Sequence, residues 1–176
     1  MTAKSSNHLD RVWRAARKSE IEKLVKDLVR IESHPEVPTQ EKAVAEHMNE
    51  FLVGEGIDSR LRLVEKNRPN VIAVIKGHGK GRSLMLNGHT DTVPAFDMDI
   101  PPFTPKVVKG RLYGRGSLDM KGGLGAMAMA LVAIDRARIK LEGDLYFTAV
   151  VGEERKSEGT EDLVLKGPRA DMAIVG

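Results

Sequence analysis

The chain has 176 residues and a mass of 19.3 kDa, 41% hydrophobic and 30% charged, which suits one domain with a real core and excludes a disordered chain or two full domains. It contains no cysteine, so disulfides, thiolate metal sites and cysteine nucleophiles are excluded and any metal site must use His, Asp and Glu. Its 28 basic and 25 acidic residues are interspersed, so a net charge of +3 does not by itself imply a nucleic-acid partner.

Residues 1–18 read as a basic N-terminal extension that forms part of a first helix. Arg11, Arg14, Arg17 and Lys18 are expected to be a solvated face: Trp13 is the one aromatic among them and no groove-reading motif follows. The segment has no apolar stretch of the secretory-signal kind. The longest run without a charged or strongly polar residue, Leu124 to Ile134, falls far short of the ~20 residues of a membrane span. No nucleic-acid or membrane partner is therefore expected, and the expected location is the cytoplasm.

From Val12 to Ile31 the apolar residues Ile21, Leu24, Val25 and Leu28 keep helical spacing, until Ser33, His34 and Pro35 end the helix. Thr39 opens a second helix with Val44, Met48, Phe51 and Leu52 on its inner face, and Gly54 to Gly56 stop it. The period then shortens. Arg60 to Val64 alternates as a half-buried strand, and Val71 to Ile75 and Ser83 to Leu86 are short apolar strands separated by the Gly77 to Gly81 turn. Ala95 to Pro105 reads as an irregular loop, and Val107 to Tyr113 as a hairpin about Gly110. Met120 to Ile134 is a helix, Asp144 to Val151 a strong strand, Gly159 to Leu165 a helix, and Ala170 to Val175 a last strand. Helices alternating with strands define an α/β layer fold, helices on both faces of a sheet. Ligands bind such sheets at the carboxyl ends of strands.

Three constellations fall at those ends. In Asn87-Gly88-His89-Thr90-Asp91, His89 and Asp91 share a face of extended backbone. A carboxylate beside an imidazole fixes its tautomer and frees the other nitrogen for a metal. In Gly114-Arg115-Gly116-Ser117-Leu118-Asp119, the acid either caps the following helix or is presented on a tight loop to a ligand. These glycines do not continue as G-x-G-x-x-G, so they are no nucleotide loop. In Gly152-Glu153-Glu154, one of two diverging carboxylates can hold a cation while the other serves as a base. His8, His34, His47 and His78 read as structural or solvent-facing, His8 in a frayed tail, and Met127 and Met129 as core filler. One imidazole with several carboxylates suits zinc and related divalent ions.

The stretches Asn87 to Pro94, Pro101 to Gly123 and Gly152 to Glu154, in this order and spacing, resemble the dinuclear zinc hydrolases that include acetylornithine deacetylase, succinyl-diaminopimelate desuccinylase, aminoacylase and glutamate carboxypeptidase. The likeness runs from about Ile21 to the end. It implies a three-layer α/β sandwich of the zinc-exopeptidase kind with a mixed, largely parallel sheet, residues 19–176 being the N-terminal part of the catalytic domain. It implies two divalent ions, zinc first with cobalt or manganese also suited. His89 would be a ligand of one ion, Asp119 the carboxylate bridging both, Glu154 a ligand of the second. Asp91 would orient His89, and Glu153 would be the general base. The implied reaction is hydrolysis of an amide bond in an N-acyl amino acid or small peptide.

The resemblance also carries expectations about what is missing. The family has a further Glu in a Gly-Glu-Pro step that would fall immediately after Gly176, a final His ligand, and an inserted lid domain through which full-length relatives form homodimers. The chain is accordingly expected to be truncated, to bind metal weakly and to turn over little. The alternative is an inactive fragment, a non-catalytic binding product of a truncated reading frame. The coding sequence past Gly176 would separate the two.

Overall fold

The computed structural model describes residues 3–176, so Met1 and Thr2 of the expected extension lie outside the described residues. The expected helix from Val12 to Ile31 is two helices, α1 (Ala3–Ala15) and α2 (Lys18–Arg30). Arg17 between them is extended, with φ −84° and ψ 121°. The break lets α1 leave the axis of α2 and pack on α4 (Lys121–Arg136). There the Arg11 guanidinium donates to the carbonyl of Ala137, at the helix C-terminus where a cation is favoured. One of the basic residues of the extension is thus a fastening to the domain. His8 lies on the exposed side of α1, in the helix rather than in a frayed tail.

The remaining elements follow the expected order. They are α3 (Lys42–Gly54), β1 (Asp58–Glu65), β2 (Arg68–Ile75), β3 (Leu84–His89), the hairpin β4 (Lys106–Val108) and β5 (Arg111–Tyr113), β6 (Leu145–Val150), α5 (Glu158–Lys166) and β7 (Met172–Val175). The five-stranded sheet has the order β1-β2-β6-β3-β7. β2 pairs antiparallel with β1 and β6, whereas β3 pairs parallel with β6 and β7, so β2 alone runs against the rest. The sheet is mixed and largely parallel, as expected.

Alternation along the strands separates two apolar layers. Val71, Ala73, Leu86, Leu145, Phe147 and Ala149 face the larger core, with Leu24 and Leu28 of α2, Met48 and Leu52 of α3, and Leu124, Met129 and Leu131 of α4. Ile72, Met85 and Val150 face the other way and pack with Leu163 of α5. Helices therefore cover both faces, and the larger core uses aliphatic and Met side chains around one buried phenylalanine. Among the described residues no helix is long and apolar enough to cross a membrane.

Asp144 closes the end of the sheet away from the three motifs. Its carboxylate accepts from Lys76 Nζ (2.8 Å), the Gly77 N–H (2.9 Å) and the Tyr146 hydroxyl (2.8 Å). The Lys76 bond, then those of Gly77 and Tyr146, lower it to about 2 from an ordinary 3.8. A folded-state value below the unfolded one stabilises above the unfolded pKa, and that stabilisation is lost as pH falls through the folded value. Asp144→Asn should therefore cost roughly 1 kcal/mol at neutral pH, the pair being near solvent. Urea unfolding at pH 7 and pH 2 should find most of that difference gone at the acid end. An equal deficit at both would contradict the assignment.

Candidate metal centre

His89 is the last residue of β3, and in the parallel ladder it lies opposite Val150, the last residue of β6. The two chains therefore emerge side by side at the carboxyl edge, one carrying His89 and Asp91, the other turning at Gly152 into Glu153 and Glu154. Asp119 reaches the same edge from the loop before α4.

Among the described residues, His89, Asp119 and Glu154 offer one ligand atom each, all within 4.8 Å of one another. The imidazole is buried, and Asp119 is largely exposed, so the cluster sits at a mouth rather than in a sealed cavity. His89 Nε2 lies 3.0 Å from Asp119 Oδ1 and 3.9 Å from Glu153 Oε2. Its Nδ1 faces Asp91, 3.0 Å from the backbone carbonyl and 3.5 Å from carboxylate Oδ1. The nearer partner of Nδ1 is thus the main chain of Asp91. The Asp91 carboxylate mainly accepts the N–H groups of Glu153 (3.1 Å) and Glu154 (3.0 Å), fastening the third motif to the first.

The alternative use of Asp119, as a helix cap, is not what the chain adopts. The N-cap position of α4 is Met120, with no side-chain cap bond, and the Asp119 carboxylate turns to His89 instead. Met120 contributes its thioether, which the His89 N–H meets at 3.1 Å.

The electrostatics are those of a site short of positive charge. Burial opposes a charged His89, but Asp91 and then Asp119 outweigh it and raise the imidazole to about 9. Burial would lift Asp91, yet His89 and the N–H groups of Glu154 and Glu153 hold it below its ordinary value. Glu154 is raised, first by burial and then by the charge of Asp119. Carboxylates that repel one another around a single imidazole, one nitrogen of which is already oriented from behind, form a donor set a divalent cation fits. A groove of about 270 Å³, lined by Thr92, Pro94, Phe96, Glu154 and Arg155 among others, opens beside it.

The other histidines stay out of the cluster, as expected. His34 is buried and stacks on Phe103 (centroids 6.0 Å apart), His47 is half-buried on α3, and His8 and His78 are exposed. Met129 is buried in the larger core and Met127 packs against it. The motif reading overlooked four buried or half-buried polar residues that hold the loops: Ser33, Asn70, Lys121 and Arg68. Lys121 carried a signal, being the lone cation in the first turn of an otherwise apolar helix. Burial pushes its amine down to about 7, with Glu32 opposing.

This α/β layer fold carries a His–Asp–Glu cluster at the carboxyl edge of its parallel strands, where a divalent metal site can be built. The chain belongs to the peptidase family M20/M25/M40, whose model matches residues 85–176. It is 38% identical over 164 residues to the N-formyl-4-amino-5-aminomethyl-2-methylpyrimidine deformylase of Halalkalibacterium halodurans, covering 90% of this chain and 38% of that protein. It is 33% identical over 160 residues to a probable succinyl-diaminopimelate desuccinylase of Staphylococcus epidermidis, covering 88% of this chain and again 38% of the relative. In fold it matches the dipeptidase Dug1p of Saccharomyces cerevisiae at TM-score 0.80 with 17% identity, over 96% of this chain and 40% of that one. The chain thus spans well under half the length of each.

Proposed function

We propose that this chain carries part of the active centre of a hydrolase that cleaves an amide bond in an N-acyl amino acid, another N-acyl amine or a small peptide. The carrying observation is the meeting of His89, Asp119 and Glu154 within 4.8 Å from three separated loops. In this reading His89 and Asp119 would hold one divalent ion and Asp119 and Glu154 would hold a second, with zinc favoured and cobalt or manganese also suited to the donors. When bound, the ions polarise the amide carbonyl and make a water molecule easier to deprotonate. Glu153, half-exposed at the mouth and near His89, takes the proton of the attacking water and delivers it to the leaving amine. Asp91 keeps the His89 ring oriented and the Glu153–Glu154 backbone in place. The deformylase and desuccinylase relatives support amide hydrolysis as the reaction class.

The test is a Co(II) titration of the purified chain, followed by visible absorption and metal analysis. The wild-type chain should bind Co(II), and His89→Ala, Asp119→Ala and Glu154→Ala should each weaken binding by tenfold or more, on the order of the losses that metal-site changes produce. Equal binding by all four proteins would remove the metal centre from this edge of the sheet.

A further inference from the structure

Beneath the cluster lies a set of fully buried polar residues that the metal reading leaves unexplained: Ser33, Thr90, Thr92 and Lys121. Buried polar groups are retained where they have partners, and the side chains of Ser33 and Lys121 both bond to the main chain of a neighbouring segment. α2 ends at Ile31, which leaves the helix in extended conformation with φ −89° and ψ 113°. Its carbonyl accepts from Lys121 Nζ at 2.6 Å. Two residues on, the Ser33 hydroxyl donates to the Thr90 carbonyl at 2.8 Å, and the Ser33 carbonyl accepts the Thr92 N–H at 3.2 Å.

Lys121 is also joined to the loop that bears Asp119. Its N–H donates to the Gly116 carbonyl at 2.8 Å. Its stem lies under Gly116, where a Cβ would come within 3.2 Å of Lys121 Cδ and 2.7 Å of the Thr92 methyl. Gly116 has φ +77°, so glycine is needed there for backbone shape and for space. One short segment therefore grips the His89 loop through Ser33 and the Asp119 loop through Lys121.

We infer that Ile31–Ser33 is a strut, and that Lys121 and Ser33 are positioning residues which set the spacing of His89 and Asp119 for metal binding. The inference deepens the metal-centre reading and rests on it. A helix C-terminus could satisfy one carbonyl with water at far lower cost than a buried lysine. The strut explains why the partner is a side chain fixed to the other loop. Neither residue belongs to the cluster of donor atoms, so the effect passes through ligand geometry, as outer partners of metal sites act.

The experiment is a Co(II) titration of Lys121→Met and Ser33→Ala beside wild type, with the visible spectrum and the melting temperature recorded on each. In Lys121→Met, removal of a buried amine offsets the orphaned Ile31 carbonyl, so melting should stay within a few degrees of wild type. Binding should nonetheless weaken about tenfold or more, with a changed Co(II) spectrum, and Ser33→Ala should show the same changes more weakly. Wild-type affinity and spectrum in either folded variant would overturn the strut. If Lys121→Met does not fold, Ser33→Ala decides alone. Co(II) binding by wild type that His89→Ala leaves unchanged would instead sink the metal centre, and the strut with it.

Discussion

Asp91→Ala should weaken metal binding sharply and cost about 3–5 kcal/mol of stability, although Asp91 need not be a metal ligand itself. The carboxylate is nearly inaccessible, at 2% exposure, and has two other roles. Its oxygens accept the N–H groups of Glu153 and Glu154, and it stands 3.5 Å behind the His89 ring. Alanine leaves two N–H donors without acceptors where little water reaches, at roughly 1–3 kcal/mol each. It also unfastens the turn that carries Glu154 from the strand end that carries His89, so two members of the donor set move independently. Co(II) affinity should fall by about a hundredfold, the upper end of what outer partners contribute. Asp91→Asn should lie between, because its amide keeps one acceptor oxygen but sets an NH2 against one of the two donors. Urea unfolding and Co(II) titration of the three proteins check this. An alanine variant within about 1 kcal/mol of wild type that still binds Co(II) normally would show that His89 and the acid pair are held by something else.

The meeting of His89, Asp119 and Glu154 was legible because each sits in a short motif at or near a strand end, and strand ends can be placed from periodicity. Ser83 to Leu86 reads as a strand from its apolar run. Pairing with β6 carries it three residues further, to His89, and only the register shows His89 level with Val150. The helix break at Arg17 was not legible, since Arg17 and Lys18 are good helix formers; it reflects the docking of α1 on α4, a tertiary effect that overrides local preference. The props of the site were hidden for a related reason. Ser33 reads as a helix stop and Lys121 draws no reading of its own, and their meaning lies in bonds to Thr90 and Ile31 that join residues 57 and 90 positions apart. Asn70 is the same kind of case: buried in β2, it accepts the Val151 N–H and donates to the Gly159 carbonyl, clamping both sides of the acidic turn.

Arg68 at the start of β2 is the other residue whose loss should be severe. Its guanidinium forks onto Glu41, with Nε to Oε2 and Nη2 to Oε1 both at 3.0 Å, and also meets Glu65 at 2.9 Å and Glu158 at 3.3 Å. The Glu41 bond holds the guanidinium above its already high ordinary pKa, burial opposes, and Glu158 and Glu65 add to the effect. Glu41 stands at the N-cap position of α3 and is 3% exposed, so without Arg68 its carboxyl group is left in the interior without its cationic partner. Breaking such a pair from one side costs about 3–5 kcal/mol, far more than the pair contributes over an apolar substitute. Arg68→Met should show that loss by urea unfolding at pH 7. Adding Glu41→Met should recover most of it, because no lone charge then remains. The variant should also reach the metal centre. Gly152, at φ +76°, packs so closely on Glu158 and Arg68 that a Cβ there would collide with both, and Gly152 leads directly into Glu153 and Glu154. Releasing Glu158 loosens that turn from below while Asp91 still holds it from above. Co(II) affinity in Arg68→Met should therefore fall less than in Asp91→Ala. If Arg68→Met costs under about 1 kcal/mol, or the second substitution deepens the loss, the network is not acting as a buried ion pair.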